Sequence, residues 1–197
     1  MGGHGVTEGR EAAVSEVAGS RARDLLRRLM PASILEEHES CSELTLVVDR
    51  SELVEVVKLL RDHHEALYNL PVLVTAVDYP DREPDLPRFD VVYVFRSLPF
   101  NDVVQIVVRV TEQDPHVPTL EDLFAGMDWH ERETFDLFGI VFDGHHDLKR
   151  ILLPSDWEGH PLRKDYISFG EPVAFTHNLD WALQEAQRPD TMPGEME

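Results

Sequence analysis

Apolar and polar positions along this chain repeat with two different periods, and each change of period marks an element. Leu25, Leu26 and Leu29 recur at helical spacing among arginines, Ser20 stands where a cap belongs and Pro31 stops the run, which predicts a first amphipathic helix. Ile34 to His38 and Leu44 to Val48 are short extended runs separated by the polar Glu39-Ser40-Cys41-Ser42-Glu43, the pattern of a hairpin. Asp49 then precedes Leu53, Val56, Val57 and Leu60 at i, i+3, i+4 and i+7, with Glu52 three residues after the cap, so a second helix should run to His63 and His64. Three strands follow, Val72 to Tyr79, Arg88 to Arg96 and Val103 to Val110. Phe89, Val91, Tyr93 and Phe95 share one face of the second, and Val104, Ile106, Val108 and Val110 one face of the third. Alternation this regular means that one face of the sheet is buried.

The order helix, two strands, helix, three strands predicts an α+β fold, a two-layer sandwich with helices on one face of a sheet whose consecutive strands are antiparallel neighbours. Around it the pattern weakens. Residues 1–19 hold five glycines and no large apolar cluster, the signature of a flexible tail outside the core domain of residues 20–127. Thr119 with Asp122 should open a short helix carrying Leu120, Leu123, Phe124 and Met127. Asp128 should cap another, with Glu131 at its third position and Gly139 at its end. Residues 128–153 therefore read as a helix followed by a basic loop. Residues 154–197 contain five prolines and one helical stretch, Asn178 to Gln187, so they read as an extended arm that gains buried area from a partner and carries Trp157, Phe169, Phe175 and Trp181 to it.

Composition narrows the function. With 38 Asp and Glu against 18 Lys and Arg the chain carries −20, the wrong sign for a nucleic-acid or anionic-membrane surface. Cys41 is the single cysteine, which excludes an intramolecular disulfide, a Cys-ligated zinc site and an iron–sulfur cluster held by this chain alone. No apolar run approaches the roughly 20 residues that span a bilayer, so no direct membrane insertion is expected. A Gly-rich strand-to-helix phosphate loop is also missing from the sequence.

Candidate chemistry concentrates after Asp128. At 100° per residue, Trp129, Arg132, Glu133 and Asp136 fall on one helix face and Glu131, Phe135 and Phe138 on the other. His145, His146, Lys149 and Arg150, then His160, Arg163, Lys164 and Asp165, follow as a basic loop. Carboxylates on a helix beside such a loop predict a salt-bridged latch in which Glu131, Glu133 and Asp136 meet Arg150, Arg163 or Lys164, within the chain or at a partner surface. A sharper alternative is a free-standing metal-dependent enzyme using His130, Glu133 and His145. The paired Glu-x-x-His and the His-Glu-x-x-His patterns that would support it are missing. A third reading is an acidic module for basic proteins.

These blocks also carry a resemblance. Glu131-Arg132-Glu133-Thr134-Phe135-Asp136-Leu137-Phe138-Gly139, Gly144-His145, Arg150-Ile151-Leu152 and Gly159-His160-Pro161-Leu162-Arg163-Lys164-Asp165-Tyr166 closely resemble the signature of the 30 kDa-type subunit of NADH-quinone oxidoreductase, respiratory complex I. The match is strong over residues 129–166 and departs at His146 and Ile167, where proline is common in the family. The resemblance implies a non-catalytic, cofactor-free subunit of the peripheral arm, lying beside the quinone-site subunit and supporting assembly of a proton-translocating enzyme. FMN and the iron–sulfur clusters would then belong to partner subunits, and the chain would be held through the complex on the cytoplasmic side of the cell membrane. Glu131, Arg132, Glu133, Asp136, His145, Arg150, Arg163, Lys164, Asp165, Trp157 and Trp181 would act as latch or interface residues. Equivalent subunits of ferredoxin-, F420- or hydrogenase-linked complexes share these traits.

Overall fold

The computed structural model describes residues 18–41, 43–82 and 86–166. Helix α1 (Ser20–Leu29) leads into the antiparallel pair β1 (Ile34–Ser40) and β2 (Glu43–Val48), and a short 3-10 turn, Arg50–Glu52, opens α2 (Leu53–Asp62). Strands β3 (Leu70–Asp78), β4 (Phe89–Ser97) and β5 (Asp102–Val110) follow, then β6 (His116–Pro118), α3 (Met127–Phe138) and β7 (Val141–Asp143). The mixed α+β class expected from the pattern is the one found.

The five large strands form one sheet in the order β1-β2-β5-β4-β3, antiparallel throughout except where β2 runs parallel to β5. That parallel contact follows from connectivity, because α2 and β3–β4 are inserted between the two central strands. Val91 pairs with Val108, Tyr93 with Ile106 and Phe95 with Val104, which puts each alternating row on the same side. Those rows join Ala22, Leu25 and Leu26 of α1 and Leu53, Val56, Val57 and Leu60 of α2 in a single buried cluster. The other side of the sheet carries a lace of charges: Arg109 donates to Glu36 at 2.6 and 2.9 Å, and Arg82 to Asp90 at 2.7 and 2.9 Å.

Four expectations need correction. Ser20 does not cap α1. Gly19 does, in the left-handed region (φ 88°), with its N–H on the buried Asp102 carboxylate at 2.7 Å. Asp102 also accepts Tyr68 Oη at 2.6 Å, so two distant segments close on one carboxylate. Since Ala18 also bridges to Glu43, residues 18 and 19 belong to the fold, whereas residues 1–17 lie outside the described residues.

Residues 119–126 form hydrogen-bonded turns and not a helix. Phe124 N–H reaches Leu120 O at 2.9 Å, but the segment is too short to continue once Leu120, Phe124 and Met127 have turned into the core. Finally, Asp128 lies inside the first turn of α3, which starts one residue after Gly126. The other end is as expected, with Gly139 closing α3 at φ 76°.

Candidate functional site

Helix α3 carries the charged block, and it sits on the edge strand β3 through Thr134, whose hydroxyl reaches His130 O at 2.8 Å and Val74 O at 3.3 Å. Two carboxylates of α3 are completely buried, Glu131 and Asp136, and they are held in opposite ways.

Asp136 is the centre of the latch. Its Oδ1 takes Arg150 Nη1 at 2.7 Å, and its Oδ2 takes the successive amides of Ile151, Leu152 and Leu153 at 3.0, 2.8 and 2.9 Å. Three consecutive N–H groups converging on one oxygen form an anion nest that folds the loop around the carboxylate. Burial by itself would raise the Asp136 carboxyl, but the amides and Arg150 outweigh it and hold it below the usual carboxylate range. The other arm of the Arg150 guanidinium donates to the carbonyls of Trp157 and Gly159 at 3.1 and 3.0 Å, which carries the latch into the next turn.

Residues 159–165 are tied down in sequence. His160 Nδ1 donates to Asp136 O at 2.9 Å, Leu162 N to Leu137 O at 3.1 Å and Arg163 Nε to Phe138 O at 2.7 Å, so the free carbonyls at the end of α3 are capped by this loop. A Cβ on Gly139 would lie 2.6 Å from both Arg163 Nη2 and His160 Nε2, so only glycine admits the approach. Burial lowers the His160 pKa, which favours the neutral ring here.

Beyond it, Arg88 at the start of β4 gathers three carboxylates. It makes a two-pronged contact with buried Asp78 at 2.7 and 2.8 Å and reaches Glu112 at 2.9 Å and Asp165 at 2.8 Å. Lys164 joins through its backbone, the amide donating to Asp78 Oδ2 at 2.8 Å. The expected boundary at residue 154 therefore moves, because the compact unit runs to Asp165. The physical reason is that Pro154 to Asp165, though irregular, spends its polar groups on α3 and on the ends of β3 and β4. Trp181, with Phe169 and Phe175, lies outside the described residues.

Glu131 is the second buried carboxylate and meets no cation among the described residues, which corrects its expected pairing with the basic loop. Its oxygens accept the Leu120 amide at 2.8 Å and the Thr119 hydroxyl at 2.5 Å. Burial pushes its carboxyl up to about 7, against the pull of those two donors. Tyr93 lies buried in the neighbouring core with its hydroxyl unpartnered. Glu133 stays exposed and without an ion-pair partner among the described residues. Helix geometry placed Asp136 with Trp129 and Glu133 on one face, yet Trp129 is 62% exposed while Asp136 is buried, because the 150–160 loop covers only the C-terminal end of that face. Arg132 lies over the Trp129 ring at 5.6 Å and donates to Lys149 O at 3.2 Å.

The ligand set His130, Glu133 and His145 does not assemble. His130 and Glu133 line a groove with Leu73, Thr75 and Leu162, whereas His145 gathers with Glu121 and His146. Pattern reasoning missed Asp78, Arg88, Glu112 and Thr119. Asp78 did leave a signal, since it falls in phase with Val74 and Ala76 on the buried face of β3, where a lone charge demands a partner.

Residues 46–172 match the profile of the family described as respiratory-chain NADH dehydrogenase, 30 Kd subunit. The NADH-quinone oxidoreductase C-subunit of Roseiflexus sp. (strain RS-1) is 46% identical over 155 residues, covering 79% of this chain and 87% of that protein. Its counterpart in Rhodopseudomonas palustris (strain BisB18) is 43% identical over 143 residues, 73% of this chain and 70% of its own. Among solved structures, the trypsin-resistant fragment (1–134) of Nqo5 superposes with a TM-score of 0.56 at 32% identity, covering 65% of this chain and 99% of the fragment. A chain from the membrane-bound sulfane sulfur reductase, an archaeal respiratory membrane complex, shares the fold at a TM-score of 0.61 and 18% identity over 89% of this chain and 95% of its own. With the profile spanning the latch and the strands β3 to β5 that carry it, the chain belongs to the 30 kDa-subunit family of the respiratory NADH-quinone oxidoreductases.

Proposed function

We propose that this chain is an architectural, non-catalytic subunit of the peripheral arm of an NADH:quinone oxidoreductase, lying beside the quinone-site subunit and carrying no redox cofactor of its own. In this reading FMN and the iron–sulfur clusters belong to partner subunits, and the complex holds the chain on the cytoplasmic side of the membrane. The observation that carries it is the fate of the signature charges. Fully buried Asp136 and half-buried Arg150 and Arg163 are committed to links between α3 and the loop that follows, with partners supplied inside the chain. Groups bound this way fix a shape and are not poised to move protons or electrons.

Around that shape Trp129, Leu152 and Leu162 remain exposed, 62%, 60% and 48%, which offers apolar anchors beside the latch for a neighbouring subunit. No helix among the described residues is long and apolar enough to cross a membrane, so attachment through partners suits the chain. NADH is taken as the electron donor because the relatives are subunits of NADH-quinone oxidoreductases, which supports this reading.

The test is affinity isolation of the tagged full chain from native membranes, followed by NADH:quinone activity per assembled complex. Redox subunits should co-purify with wild type. Asp136→Ala should lower the amount of complex while leaving the turnover of what assembles unchanged. A variant that assembles at the wild-type level but has lost turnover would instead give Asp136 a part in the reaction.

A further inference from the structure

We infer that Glu121, His145 and His146 form a surface site for a divalent cation of the zinc class, which would tie the 119–124 turn to the loop after β7. One ligand atom from each lies within 4.8 Å of the others, the span that a single ion bridges. The two imidazoles follow one another after Gly144, whose φ of 91° turns the chain back, and their rings stack at 5.3 Å with only 9° between planes. Both Nδ1 atoms face Glu121: that of His145 lies 3.8 Å from Oε2, and that of His146 contacts Oε1. The carboxylate is itself steadied by the His146 amide, which donates to Oε2 at 3.2 Å.

The state of His145 points to metal binding and not to a bare ion pair. Its side chain is fully buried, and its Nδ1 accepts the Asp147 amide at 3.1 Å, so this nitrogen carries the lone pair. The proton is then on Nε2, which faces Asp128, 3.3 Å from Oδ1 and 3.4 Å from the carbonyl. Asp128 Oδ1 is buried and makes no hydrogen bond among the described residues, so the Nε2 hydrogen bond goes to the Asp128 carbonyl. A histidine whose far nitrogen is held by a backbone carbonyl, here with a carboxylate oxygen beside it, while the near one offers a lone pair is a usual arrangement behind a metal ligand. An incoming ion displaces two contacts, the Asp147 N–H on His145 Nδ1 and the His146 Nδ1–Glu121 hydrogen bond, whose proton leaves to solvent as the ion takes its place.

Two imidazole nitrogens and one carboxylate favour zinc, nickel or copper over magnesium or calcium. The His145 side chain is buried and Glu121 is mostly covered, while His146 is 63% exposed, so the site opens to solvent on one side and leaves a position for water. The role is structural. The turn that supplies Glu121 also supplies Thr119 and Leu120, the partners of buried Glu131.

The test is calorimetric titration of the full chain, purified metal-free, with zinc chloride, repeated with cobalt chloride to read visible absorption. One zinc per chain should bind with a dissociation constant in the micromolar range, and cobalt should give the absorption of a four-coordinate site. His146→Ala and Glu121→Gln, both at accessible positions, should each weaken binding at least about tenfold with far-ultraviolet dichroism unchanged, and Asp128→Asn should weaken it about tenfold through His145. His63→Ala with His64→Ala, which removes the other stacked histidine pair, should leave binding intact. Zinc binding that survives both ligand substitutions, that is lost with the His63 and His64 pair, or that fails to occur at millimolar zinc overturns the site.

Discussion

Replacing Asp136 with alanine removes the acceptor for three backbone amides and one guanidinium at once. The four contacts measure 2.7 to 3.0 Å, and the carboxylate is fully buried. A net contribution of about 1.5 to 3 kcal/mol per charge-assisted hydrogen bond would sum to about 6 kcal/mol or more, but such terms are not additive. Leu152 is 60% exposed, so the loop can lift and let water reach its amides. Breaking a buried ion pair costs about 3 to 5 kcal/mol, and we expect about 4 kcal/mol for Asp136→Ala. Urea unfolding of the full chain, followed by tryptophan fluorescence, measures this.

Amide exchange adds a local readout. Ile151, Leu152 and Leu153 should lose protection in the variant under native conditions, while Val104 to Val108 of β5 keep theirs. Glu133→Ala on the exposed side of the same helix should change stability by less than about 0.5 kcal/mol. Asp136→Asn keeps an acceptor for the amides but turns an NH2 toward Arg150, and should fall between the two, near about 2 kcal/mol. The pH dependence has a fixed sign. The folded Asp136 carboxyl is depressed, so its contribution is present above the unfolded value of about 3.9 and is lost as pH falls through the folded one. Asp136→Ala should therefore lose part of the acid-induced destabilisation below about pH 4. A cost under about 1 kcal/mol, with normal protection at Ile151 to Leu153, would refute the view that this carboxylate organises the loop.

Glu131 should titrate in the opposite sense: raised to about 7 by burial, it contributes stability that is complete below about pH 4.3 and lost by about pH 7, on the order of 3 kcal/mol across that window. Glu131→Gln should flatten that slope in melting curves, and an unchanged slope would place the titration elsewhere. Gly19→Ala should destabilise by about 1 to 2 kcal/mol, because φ is 88° and the new Cβ would stand 3.1 Å from Val103 O; equal melting temperatures would show that the turn can rearrange. Arg88→Ala should free Asp78, Glu112 and Asp165 together and raise exchange at the Lys164 amide, with an effect on melting larger than that of Arg27→Ala, whose pair with Glu37 is exposed.

The large elements were legible in the sequence because their stability comes from burying one face, and burial imposes a period. Val104, Ile106, Val108 and Val110 could serve only as the inner row of a strand, and Leu53, Val56, Val57 and Leu60 only as the inner stripe of a helix. The signature charges were also legible as a group, since so many ions in so few residues require partners. The partner of each was decided by tertiary structure alone. Asp136 and Glu133 share a helix face, yet only Asp136 is enclosed, because the 150–160 loop folds over one end of that face. Glu131 had the spacing of a capping-box residue and instead reaches back to Thr119 and Leu120, since the tight turns of residues 119–126 bring those donors to it. Asp78 and Arg88 stand at the ends of neighbouring antiparallel strands, a proximity created by the sheet. Hydrophobic burial acts through local period and can be read one residue after another. A hydrogen bond between distant residues depends on directions in space that no local period records.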